Sequence, residues 1–129
     1  MTSRGKGALP VIKRGECAAL LRLTVRRVRP EETERLRRWL SVLNTERADE
    51  ARATLVDEGC AHEMGILVET SDGPLLVYAM EVQDVERSRR AAANSSHPID
   101  AEHRAVMKAA LGGHPPHEVL LDLRTAPEA

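Results

Sequence analysis

The densest run of chemically able residues is His97-Pro98-Ile99-Asp100-Ala101-Glu102-His103. Imidazoles titrate near neutrality, and a nearby carboxylate can orient them or share a proton. His97, Asp100 and His103 therefore have the residue types of an acid/base group. The same types also hold metals. The spacing has a second, plainer reading as a helix entry. Pro98 sets the first turn, Asp100 caps it, and Glu102 stands near its positive end. His103 falls in line with Ile99, Val106 and Ala110, so it is expected to face inward, where an imidazole usually satisfies a hydrogen bond. The helix entry is the favoured reading. If the segment is a site, His103, His97 and Asp100 are its catalytic candidates. No metal and no cofactor is expected.

Other candidates are sparser. His62, Tyr78 and Trp39 are the residues expected to line any small-molecule pocket between sheet and helices, although a core edge would place them equally well. His114 and His117 flank Pro115-Pro116 and read as a polar connector rather than a metal pair. Arg87, Arg89 and Arg90 read as a solvated helix face. Cys17 and Cys60 are too few for a disulfide framework, no Cys-x-x-Cys is present, and Cys60 reads as a small buried hydrophobe. The chain lacks a glycine-rich phosphate loop, a Gly-x-Ser-x-Gly and a His-Glu-x-x-His, so nucleotide hydrolysis, serine hydrolase and zincin chemistry have no support.

The elements that must position these residues follow from periodicity. Ala19–Val28 alternates with period two, as a half-buried strand does. Pro30 then turns the chain, and Glu31, Glu32 and Glu34 favour a helix start. Leu36, Trp39, Leu40 and Leu43 form one apolar helical stripe. Asn44-Thr45 is expected to break the helix, because both side chains compete for backbone hydrogen bonds. A second helix runs to Glu58, with Gly59 as its C-terminal cap. Ala61–Thr70 and Pro74–Val82 read as a hairpin around a three-residue turn, Ser71-Asp72-Gly73. Asp84 is expected to cap a helix from Val85 to about Ala93. Another helix runs from Pro98 to about Leu111, and a last strand covers His117–Arg124.

The order strand, helix, strand, strand, helix, strand is that of a ferredoxin-like α+β sandwich, with helices on one face of a four-stranded antiparallel sheet. Period two then sorts the faces. Leu21, Leu23 and Val25, with Met64, Ile66 and Val68, with Leu76, Tyr78, Met80 and Val82, and with Val119, Leu121 and Leu123, are expected beneath the helices. The opposite face would carry Leu67, Leu75, Val77, Ala79 and Leu120 in an aliphatic patch with a charged rim that includes Arg22. Such a patch suggests a partner surface, and a second copy packed sheet to sheet is the expected partner.

The 129 residues suit a single domain over 19–125 behind a disordered tail of residues 1–18. A net charge of −1 with 30% charged residues argues against a nucleic-acid partner. No long apolar run suggests a membrane span, and the reduced-thiol pattern suggests the cytoplasm. Phe is absent and Trp39 and Tyr78 are the only aromatics, so the core must be aliphatic.

Two resemblances add to this reading. The hairpin Ala61–Val82, the helix before it and the Gly112-Gly113-His114-Pro115-Pro116 approach to the last strand resemble the dimeric α/β-barrel superfamily over roughly residues 20–124. That group includes antibiotic-biosynthesis monooxygenases and L-rhamnose mutarotases. The resemblance implies a homodimer and a cofactor-free monooxygenase, isomerase or cyclase acting on a small molecule. The mutarotases carry a catalytic His on the first helix, whereas Arg37-Arg38-Trp39-Leu40 has none. More specifically, Asp49-Glu50-Ala51, Thr54-Leu55, Glu58-Gly59 and above all Ser96-His97-Pro98-Ile99-Asp100 with Glu102-His103 resemble a bacterial family of unknown function.

Overall fold

A computed structural model describes residues 20–125; the tail expected over residues 1–18 lies outside them. Strand β1 (Leu20–Arg27) leads to a single 3-10 turn, Pro30–Glu32, and then to α1 (Thr33–Asn44). Pro30 suits that entry because a first-turn residue needs no N–H partner. The helix breaks where Asn44-Thr45 predicts. The Thr45 hydroxyl donates to the Ser41 carbonyl over 2.7 Å, and α2 (Ala48–Glu58) starts afresh. Gly59 ends α2 at φ +66°, a left-handed conformation that favours glycine, and its N–H reaches the Leu55 and Val56 carbonyls.

Strands β2 (Cys60–Thr70) and β3 (Gly73–Val82) form the hairpin, followed by α3 (Val85–Ala93) and α4 (Pro98–Ala110). Asp84 caps α3 as expected, accepting from the N–H groups of Glu86 and Arg87. Asp100 does not cap α4. It lies within the first turn, His97 occupies the cap position, and Pro98 opens the helix.

The sheet is antiparallel and three-stranded, in the order β1-β3-β2. The fold is α+β, but the ferredoxin-like fourth strand is missing among the described residues. Residues 117–124 form no helix or strand and pair with no strand there. The chain does begin such a pairing. Gly112 N–H donates to the Arg27 carbonyl, Arg27 N–H donates to the Gly113 carbonyl, and Val28 bridges Leu111. Pro115 and Pro116 follow at once. Neither has an N–H to donate, so the ladder along β1 stops there.

The hairpin turn also differs from expectation. Thr70 pairs with Gly73, so the turn is Ser71-Asp72, two residues rather than three. A one-residue change of register moves every side chain of a strand to the other face. Met64, Ile66 and Val68 consequently pair with Ala79, Val77 and Leu75 on the open face, and Leu21, Leu23 and Val25 join them from β1. The helix-covered face instead carries Leu76, Tyr78, Met80 and Val82 beside Glu63, Gly65 and Leu67 of β2 and Arg22, Thr24 and Arg26 of β1. Of the patch expected on the open face, Leu75, Val77 and Ala79 are there. Arg22 and Leu67 are under the helices, and Leu120 is in no strand.

The core is aliphatic, built from Val28, Leu36, Leu76, Val106, Ala110 and Leu111, with Trp39, Leu40, Leu67, Tyr78 and Met107 packed against it. Arg29 closes it from one end. Its guanidinium donates to the carbonyls of Lys108, Ala109 and Leu111, satisfying the free C-terminal carbonyls of α4.

Candidate acid-base site

The flipped register carries a glutamate under the helices. Glu63 lies in the helix-facing row of β2 and accepts a hydrogen bond from the Tyr78 hydroxyl of β3. Tyr78 stands opposite Gly65, and a Cβ at that glycine would meet the ring at 3.3 Å. The missing side chain thus leaves room for the phenol to lie along β2 and reach the carboxylate. Burial pushes the Glu63 carboxyl above its ordinary range, Tyr78's hydrogen bond opposes that, and Asp100 adds to it. Burial, with Glu63 beside it, also pushes the Tyr78 phenol up, so it stays protonated and donating.

Glu58, in the last turn of α2, joins the same region. It is only 9% exposed, and no side chain among the described residues hydrogen-bonds it. Desolvation raises its carboxyl to about 7, with Glu63, Asp100 and Asp57 adding like-charge repulsion. Asp100 contributes a third carboxyl group whose Oδ2 is buried without a partner.

His103, one α-helical turn along α4 from Asp100, completes the set. The Trp39 indole N–H donates to its Nδ1 over 2.9 Å. An accepting Nδ1 leaves the proton of the neutral ring on Nε2. Burial holds the imidazole below its usual range; Asp100 opposes that and Arg104 supports it. Trp39 is steadied in turn by Arg47, whose guanidinium sits 5.8 Å over the ring and bridges Glu50 and Glu102.

These groups surround a cavity of about 50 Å³, lined by Glu58, Glu63, Asp100 and His103 with Thr54 and Ile99. A larger cleft of about 760 Å³ runs between β2 and the α1–α2 pair, past Leu40, Asn44, Arg52, Gly65 and Tyr78. Leu43, Ala51, Leu55 and Glu63 line both, so the small cavity is the inner end of the cleft. It admits about one small group, since a water occupies about 30 Å³ of liquid.

The sequence candidates divide accordingly. His103, Asp100, Trp39 and Tyr78 come together around this site. His62 does not enter the inner cavity. The register of β2 carries it with Met64 to the open face opposite Glu81, where it only edges the cleft. His97 is drawn away as well, its Nε2 lying 2.8 Å from Asp57 on the exposed side of α2. Glu58 and Glu63 are the groups that sequence reading missed. A two-residue turn would have revealed Glu63, by putting an acid in the row beneath the helices. Among the described residues no three His, Cys, Asp or Glu side chains are grouped as a metal site needs. No helix there is long and apolar enough to cross a membrane.

An α+β fold with a half-open antiparallel sheet and a buried carboxyl cluster at the end of a cleft is the class that these features define. The chain belongs to the family of unknown function DUF6176, whose profile matches residues 20–128. No curated protein matches it, and no solved structure does.

Proposed function

We propose that this protein binds a small organic molecule in the cleft between sheet and helices and moves a proton on it without a cofactor, as an isomerase does. The observation that carries the reading is Glu58, a buried carboxyl poised near neutrality at the inner end of a ligand-sized cleft. A carboxyl with that affinity both takes and returns a proton at physiological pH. The body of the ligand occupies the larger cleft, and its reacting end enters the small cavity. There His103 Nε2–H donates a hydrogen bond to an oxygen of the ligand, while Glu63, held by Tyr78, shares the proton traffic with Glu58.

Deuterium exchange tests this directly. A panel of small carbonyl and hydroxy compounds incubated in D2O should include members whose carbon-bound hydrogen exchanges faster with the protein, and Glu58→Gln should abolish the gain. If no compound exchanges faster and none raises the melting temperature, the reading is wrong.

We also propose that the protein is a homodimer packed through the open sheet face. The support is the apolar row itself: Leu21, Leu23, Met64 and Ile66 are each at least half exposed there. Water contact over a contiguous aliphatic face is costly, and a second copy removes it. Val77, central in that face, provides the test. Light scattering should give twice the chain mass, and Val77→Asp should lower it, because a buried charge opposes desolvation. A single-chain mass for the unsubstituted protein at micromolar concentration would refute the dimer.

A further inference from the structure

The segment after Pro116 is the most conspicuous feature without a role. Val119, Leu120, Leu121 and Leu123 are each 75–85% exposed. Among the described residues the segment belongs to no helix or strand, and its ion pair is internal, Arg124 to Asp122 at 3.7 Å. It is not a trailing end, because the family profile runs through it to residue 128. Its sequence alternates as a strand does, with Val119, Leu121 and Leu123 on one side.

The same molecule has a vacant place for a strand. β2 is an edge of the sheet along all of Cys60–Thr70, and no described residue pairs with its outer backbone groups. An edge that long invites another strand. The arm cannot easily return along its own β1, since the ladder there ends at the two prolines. Leu21, Leu23, Met64 and Ile66 of the sheet face and Val119, Leu121 and Leu123 of the arm, each at least half exposed, offer apolar surface for an interface, which in a standard case takes about 800 Å² per partner. In a two-fold dimer each such surface meets its counterpart twice, so one exchange covers both.

We infer that residues 117–124 of each chain add as a strand to the β2 edge of a second copy. This rests on the homodimer reading. It also gives the arm a functional place. Met64 and Gly65 of β2 line the large cleft, so a strand paired outside β2 walls that cleft with residues of the other chain. The site of one protomer is then completed by its partner.

Hydrogen exchange and light scattering on the full chain test this together. The expected result is a doubled mass, with amides of 117–124 and the outward amides of β2 protected on the order of 100-fold or more over a free peptide. Both protections should fall on dilution to the monomer. In the Leu121→Asp/Leu123→Asp variant both should also be lost, with the circular dichroism of the helices unchanged, since neither side chain packs on its own domain. A doubled mass with a fully exchanging arm overturns the arm exchange and leaves the sheet-face dimer standing. Protection of the arm at a single-chain mass overturns it too, by placing the strand within its own chain. A single-chain mass with an exchanging arm overturns both readings.

Discussion

The indole N–H of Trp39 donates to Nδ1 of His103 over 2.9 Å, joining α1 to α4 at the inner end of the cleft. That bond fixes the neutral tautomer of the imidazole, and burial depresses its proton affinity. Nitrogen-15 NMR should therefore show His103 neutral, with hydrogen on Nε2, at pH 7.5, and taking up its second proton at a lower pH than a free imidazole does. Trp39→Phe removes the donor and should let the ring redistribute between tautomers. A ring that titrates near 6.5 in the unsubstituted protein would contradict the assignment.

Glu58 should make stability fall as pH rises. Its carboxyl is raised to about 7 in the folded chain. Below the ordinary carboxylate range it is protonated in both states, and the folded form suffers no penalty. As pH climbs from about 4 to 7 the unfolded chain ionises while the folded one resists, so stability is lost across that window and levels off above it. After allowance for screening, the loss should be about 2 kcal/mol. Urea unfolding of Glu58→Gln should show that slope flattened, with the variant the more stable of the two at pH 8. An unchanged slope would mean that Glu58 is ordinarily solvated.

Tyr78→Phe should cost about 1–3 kcal/mol, because it leaves the Glu63 carboxylate buried without its donor. The cost should be larger at pH 8 than at pH 5, where Glu63 can take a proton instead. In the Glu63→Gln background the substitution should cost less and lose its pH dependence. Equal costs in both backgrounds would show that the phenol acts by packing alone.

Arg29→Ala should destabilise the fold by about 1–2 kcal/mol, since three carbonyls at the end of α4 lose a charged donor. Arg29→Lys should recover only part of this, because an ammonium lacks the planar fork of the guanidinium. Thermal unfolding of the three proteins checks the ranking, and full recovery by lysine would reduce the role to charge.

Local chemistry made most of the elements legible. Pro30, Asn44-Thr45, Gly59, Asp84 and Pro98 each mark a boundary through a backbone preference that acts within a few residues, and each boundary is where that preference puts it. The facing of β2 was harder to read, because it depends on one integer, the length of the turn after Thr70. Ser71-Asp72-Gly73 suits a three-residue loop, yet Gly73 is the first residue of β3, at φ +111°. With that single step went the side taken by Met64, Ile66 and Val68 and the burial of Glu63. The strand expected at 117–124 has the right alternation, but alternation says nothing about which chain supplies the neighbour. His103 and Asp100 were visible as residue types, and their meeting with Glu58 and Glu63 was not, since it joins α4 to the α2–β2 corner far back in the sequence.

The clasp of Arg29 and Arg26 on the end of α4 has a consequence for how the protein is made. Arg26 donates to the Gly112 carbonyl across 86 residues, and Arg29 reaches its carbonyls across 79 to 82. β1 leaves the ribosome well before the groups that hold its far end. At about 5–20 residues per second, the first strand waits several seconds or more for its partner. Until then Val28 and Leu36 have no Ala110 or Leu111 to pack against, and the core stays open to any chaperone that reads exposed aliphatic chain.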